Sequence, residues 1–160
     1  MRLLAAAAIF ACSLVGPAGA QPAPDSGTPK GLPALAVFVG QWTCVTPTRP
    51  KGQTWTIAYG EGGAALHISI VGTETLDVYL VAHPSSNDLY AFGVGTGGWE
   101  FSRSPAFDGK SLTFASIQTN DGSSVTHALT LLGPAAFTAK TDVTPATGDP
   151  FSITESCTKA

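Results

Sequence analysis

Charge is scarce in this chain. Asp, Glu, Lys and Arg make up 12% of its 160 residues, eight basic against eleven acidic, and neither sign forms a run. So sparse and slightly acidic a balance argues against nucleic acid or an anionic membrane surface as partner. Histidine is limited to three residues, and the sequence has no G-x-S-x-G, no H-E-x-x-H and no C-x-x-C. Hydrolytic, metalloprotease and dithiol chemistry therefore have no visible motif, although a triad assembled in space leaves no such trace. Two near-matches fail on context. Gly93, Gly95 and Gly98 fit G-x-G-x-x-G, but the strand-like "WEFSRS" follows where a dinucleotide site needs a helix N-terminus. "DGKS" at 108–111 lacks the first glycine of a P-loop, its place being taken by Ser104.

Long apolar runs are missing too. The longest, "LLAAAAIFACSLV" after Met1-Arg2, falls well short of the ~20 residues that span a bilayer, and it leads to Ala18-x-Ala20. A charged start, an apolar middle and a small-residue cleavage site identify residues 1–20 as a secretory signal peptide, so the mature protein is expected to be exported, periplasmic or extracellular. "IFAC", Ile9 to Cys12, is a poor copy of a lipoprotein box because of the bulky Phe10, which argues against a lipid anchor on Cys12. Cleavage removes Arg2 and leaves seven basic and eleven acidic residues, a net charge of about −4.

Cysteine is the third scarcity. Without the leader only Cys44 and Cys157 remain, and an even count in an oxidising compartment points to one disulfide. Residues 21–31, rich in Pro, Gly and Ser, are a flexible lead-in to a single domain over 32–160. Leu32, Leu35, Ala36 and Val39 have helical spacing and predict a short helix with one apolar side. After Gly40 the chain turns to short runs of Thr, Val, Ile and aromatic residues separated by turn signals. These predict ten strands, over 41–47, 53–59, 64–71, 75–82, 88–94, 98–104, 111–118, 124–132, 136–143 and 151–158.

The links are hairpin-like ("GEGG", "HPSSND", "FDGK", "NDG", "GP", "PATGDP") and too short for crossover helices. The fold class is therefore all-β, an antiparallel up-and-down meander. Ten such strands hide their edges best by closing into a barrel. Closure makes the first and last strands neighbours, and those strands carry Cys44 and Cys157.

The short helix followed by Gly40-x-Trp42 resembles the opening of the calycin-type barrels, the lipocalins and fatty-acid-binding proteins. With the strand count, it is most similar to exported bacterial G-x-W barrel proteins and to the nitrobindin-like ten-stranded barrels. The resemblance implies structural roles for Gly40 and Trp42, the tryptophan packing into the closed end. It also implies a small hydrophobic molecule as partner.

Period-two alternation gives the candidate interior. Taking the more apolar set on each strand, these are Trp55, Ile57 and Tyr59; Leu66, Ile68 and Ile70; Leu76, Val78 and Leu80; Tyr90, Phe92 and Val94; Trp99 and Phe101. Val125, His127, Leu129 and Leu131 continue the series, then Phe137, Ala139 and Thr141, then Phe151, Ile153 and Glu155. Arg103 also falls on an inward set, where it would pair with Glu155 or hold the carboxylate of an acidic ligand; exposure near a strand end is the plainer reading of both. Trp55, Tyr59, Tyr90, Phe92, Trp99, Arg103 and His127 are the candidate ligand-binding residues. A packed core explains most of these positions as well as a pocket does.

The expected function is non-catalytic binding of a small hydrophobic ligand. One rival is a protein-binding or inhibitor module with a filled barrel. Another is a small-barrel isomerase-type enzyme using His127. The residues by themselves call for no cofactor and no metal; haem on His127 follows from the nitrobindin resemblance. His67, alternating with Ser69, faces solvent, and His83 opens a loop.

Overall fold

The computed structural model describes residues 31–160. The leader, Cys12 and the lead-in as far as residue 30 lie outside the described residues. A 3₁₀ helix, Pro33–Phe38, precedes ten strands: β1 (Gly40–Thr46), β2 (Arg49–Tyr59), β3 (Leu66–Val71), β4 (Thr75–Ala82), β5 (Leu89–Gly95), β6 (Gly98–Ser104), β7 (Ser111–Thr119), β8 (Ser124–Gly133), β9 (Ala136–Thr144) and β10 (Phe151–Lys159). Every strand pairs antiparallel with its sequence neighbour, and β1 pairs with β10, so the sheet closes into a barrel with no free edge.

The seam carries the disulfide. Cys44 and Cys157 stand opposite each other in the β1–β10 register and are bonded across a sequence separation of 113. Beside them Glu155 is buried, and Gln53 Nε2 donates to both of its oxygens, at 2.8 and 3.1 Å. Arg49 Nη2 approaches Glu155 Oε1 at 3.3 Å. Burial of this carboxyl pushes its pKa up, against the opposing pull of Arg49 and Gln53.

One end of the barrel is plugged. The side chains buried from the helix are Leu32, Leu35 and Phe38, three apart, because a 3₁₀ helix turns once every three residues. The α-helical spacing read from the sequence expected Ala36 and Val39 in place of Phe38; Ala36 is exposed. Phe38 packs edge-on against Phe107 and Phe137, and Trp42, fully buried, packs on Phe137 at 4.8 Å. The Trp42 indole Nε1 donates to the Phe38 carbonyl at 2.7 Å, which locks helix to barrel. Gly40, two residues before the tryptophan, has φ 137°, a conformation that favours glycine, and a Cβ there would also lie 2.8 Å from Lys159 Cε. Lys159 in turn rests its ammonium over the Trp42 ring.

The interior phase agrees with the sequence on β2, β3, β4, β8 and β9 and is reversed on β5 and β6. On β5 the buried residues are Leu89, Ala91 and Gly93, while Phe92 and Val94 are 45% and 46% exposed. On β6 Glu100, Ser102 and Ser104 share the inner face, and Phe101 and Arg103 point out. Ranking by apolarity failed here because these two strands leave the interior empty rather than filling it. Small and polar residues face in, and the bulky ones pair outside, Tyr90 stacking on Phe101 and Phe92 tilting against Trp99.

Candidate functional site

Beneath the open end of the barrel lies a cavity of about 320 Å³. Its floor is apolar: Leu35 and Phe38 from the helix, with Ile57, Leu66, Leu80 and Leu112 from the strands. Trp55, Ile68, Ile70, Phe114 and Leu129 form the walls. Room is left by Ala91, Gly93 and Ser102, whose side chains are too short to reach the middle. The rim is polar, with Glu74, Thr96, Asn120, Asp121 and Ser123. The glycine-rich stretch dismissed as a dinucleotide motif is the β5–β6 hairpin at this rim. Gly98 has φ 124° and leaves no space for a Cβ against the Asn120 amide, which accepts the Trp99 backbone N–H at 3.0 Å.

One wall carries a polar constellation. His127, on the inner face of β8, places Nε2 2.9 Å from Glu100 Oε2 on β6 and Nδ1 3.0 Å from the Thr141 hydroxyl on β9. A carboxylate only accepts, so the imidazole hydrogen belongs on Nε2, and Nδ1 accepts from Thr141. Both residues line the cavity, Glu100 with 18% and His127 with 34% of its side chain exposed. The second Glu100 oxygen, Oε1, is buried and meets no protein donor.

The candidate residues separate sharply. Trp55 and His127 line the cavity, and Trp99 borders its mouth. Tyr59 is at the plugged end, where its hydroxyl donates to the Leu32 carbonyl at 2.9 Å and does not reach the cavity. Tyr90 and Phe92 lie on the outer face of the sheet, for the reason given above. Arg103 is likewise outside, paired with Asp88 at 2.6 Å; the contact holds the Asp88 carboxyl below its ordinary pKa. Arg103 thus neither meets Glu155 nor offers a cation to an acidic ligand. Phe151 and Ile153 share the inward face of β10 but lie beyond the end of β1, half exposed, and do not line the cavity.

Haem does not fit these residues. Both ring nitrogens of His127 are engaged, so neither is free for iron, and no Lys or Arg lines the cavity to meet propionates. Among the described residues, no three His, Cys, Asp or Glu side chains gather as metal ligands do. His67 is on the outer surface, bonded to Asp77 and stacked on Tyr79 at 4.7 Å, and His83 lies in its loop against Ser85.

Sequence reasoning missed Glu100, the central polar residue of the site. On β6 it alternates with Ser102 and Ser104, a set that reads as solvent-facing. The signal that could have found it is the neighbouring strand, where the set Ala91, Gly93 and Gly95 is apolar but tiny, as the wall of a hollow must be. Among the described residues, no helix is long and apolar enough to cross a membrane. Neither a protein-family model nor a curated protein matches this chain.

Proposed function

We propose that this is an exported, non-catalytic carrier that holds a small, mostly apolar molecule inside the barrel. The observation that supports the reading is the cavity itself: about 320 Å³, apolar at the base and walls, with polar groups concentrated on one wall and at the rim. That is the composition of a site that takes its affinity from apolar burial and its orientation from a few polar contacts. Export is supported by the leader sequence and by a disulfide of the kind that persists in oxidising compartments. The G-x-W opening and ten-stranded closure resemble the calycin-type carriers, which supports the same reading. The test is native mass spectrometry of protein purified from its own exported compartment, with an absorbance scan of the same sample. The expected result is an added small-molecule mass without a haem band. A bare mass under conditions gentle enough to keep ligands would overturn the carrier reading.

A second reading rests on the Glu100–His127–Thr141 chain, an acid–base arrangement within an apolar cavity. In that reading the barrel is an isomerase-type enzyme in which Glu100, its carboxylate oriented by His127 and its Oε1 unengaged, moves a proton on the bound molecule. Incubating the recovered ligand with protein in deuterated water separates the two: a carrier returns it unlabelled, and an isomerase exchanges a carbon-bound hydrogen.

A further inference from the structure

Two polar atoms at the cavity are left unanswered by the protein. Among the described residues, the buried side-chain nitrogen and oxygen atoms without a hydrogen-bond partner are Trp55 Nε1 and Glu100 Oε1, and both residues line the cavity. Trp55 is only 8% exposed. A buried donor or acceptor left unpaired is costly, and native interiors rarely keep one without a reason. Here one is a donor, the indole N–H, and the other an acceptor, the carboxylate oxygen. Together they describe the complement of a ligand, which brings a hydrogen to Glu100 and an acceptor atom to Trp55.

The sign of the ligand's charge follows from what surrounds it. The cavity and its rim carry three carboxylates, Glu74, Glu100 and Asp121, and no Lys or Arg. Of the cations outside it, Arg103 is committed to Asp88 on the outer face, Arg49 to Glu155 in the seam, and Lys159 to the Trp42 ring at the plugged end. A fatty acid would set its own carboxylate among three like charges without a counter-ion. An alcohol supplies the hydrogen but no charge. An ammonium supplies both, through a charge-assisted hydrogen bond of the stronger kind. His127, held by Thr141, fixes Oε2 and so leaves Oε1 as the oxygen without a protein partner.

We propose that the cavity selects a hydrophobic amine, its ammonium donating to Glu100 and its body filling the apolar floor, with an acceptor on that body for the Trp55 N–H. The inference rests on the cavity being a binding site and names the class of molecule it takes. It is opposite in charge to the acidic ligand that the sequence reading of Arg103 left open.

The experiment titrates three probes that differ only in head group, octylamine, octanol and octanoate, into the whole mature protein at neutral pH and follows the heat of binding. The amine is expected to bind about tenfold or more tightly than the alcohol, with the carboxylate weakest. Glu100→Gln should collapse the amine-to-alcohol ratio toward one; should that variant not fold, the order of the three probes on the unmodified protein decides alone. Octanol or octanoate binding as tightly as octylamine overturns the amine inference and leaves the carrier reading standing. Failure of all three to bind overturns the binding site and the inference together.

Discussion

His127 Nε2 lies 2.9 Å from Glu100 Oε2, a contact between β8 and β6 that spans the strand between them. It is a polar bridge on a wall that also carries Phe114, Leu129 and other apolar side chains. Its contribution is moderated by the partial exposure of the imidazole. A double-mutant cycle with His127→Ala and Glu100→Ala should give a coupling of about 1 kcal/mol in denaturant unfolding. A coupling indistinguishable from zero would mean that the bridge does not form in solution.

The Cys44–Cys157 disulfide joins residues 113 positions apart at the one strand pairing, among the described residues, that is not between sequence neighbours. In the chain-entropy account such a loop stabilises by about 4 to 5 kcal/mol. Replacing both cysteines by serine should therefore lower the Tm by about 10 °C or more. Reduction of the native protein should do the same. An unchanged Tm in both experiments would show that β1–β10 pairing holds the seam without the covalent link.

The disulfide, the ten strands and the plugged end were all legible in the sequence because each has a signal of its own. Cysteine parity, turn residues at short intervals and the G-x-W opening are local features, and the strand limits read from them differ from the structure by four residues at most. That largest difference is at β2, which starts at Arg49 through an irregular stretch containing Pro50 and Gly52, residues that ordinarily speak against a strand. The site was legible only in part. Trp55 and His127 sit on strands whose inner face is also the more hydrophobic one. Tyr90, Phe92 and Arg103 were misplaced because hydrophobic ranking assumes a filled interior, and β5 and β6 line an empty one. Neither the hollow nor the pairing of His127 with Glu100, 27 residues away, has a local signature.

Glu155 gives a pH dependence of unusual sign. Burial raises its pKa, so the folded state binds a proton more tightly than the unfolded chain does. Its protonated form favours folding, and that contribution is complete below the ordinary glutamate pKa and lost as the pH rises through the raised value. Asp88, Asp108, Asp121 and Asp142 act in the opposite sense: their lowered pKa values give stability above the ordinary aspartate range that disappears on acidification. The two effects separate in a variant. Glu155→Gln keeps the shape and removes the titration, so its Tm relative to the unmodified protein should rise between about pH 4 and pH 7. A difference that stays flat over that range, or falls, would show that Arg49 and Gln53 fully compensate the burial.

The emptiness of the cavity is itself testable by filling it. Ala91 is buried on the inner face of β5 between Leu80 and Ser102 in the register, and all three line the cavity. In a packed barrel Ala91→Leu would force its neighbours apart, at a cost of about 1 to 3 kcal/mol. In a hollow one the added methyl groups enter existing space, and their burial offsets much of any strain, about 0.8 kcal/mol for each carbon. The expected outcome is a Tm within a few degrees of the unmodified protein and an affinity for octanol about tenfold weaker or worse. Phe92→Ala, one position along and on the outer face, should leave octanol affinity unchanged. If Ala91→Leu binds octanol normally, the ligand lies elsewhere; if it is strongly destabilised, the interior is filled. The pair of variants thus distinguishes a hollow barrel from a packed one through two neighbouring residues whose side chains point in opposite directions.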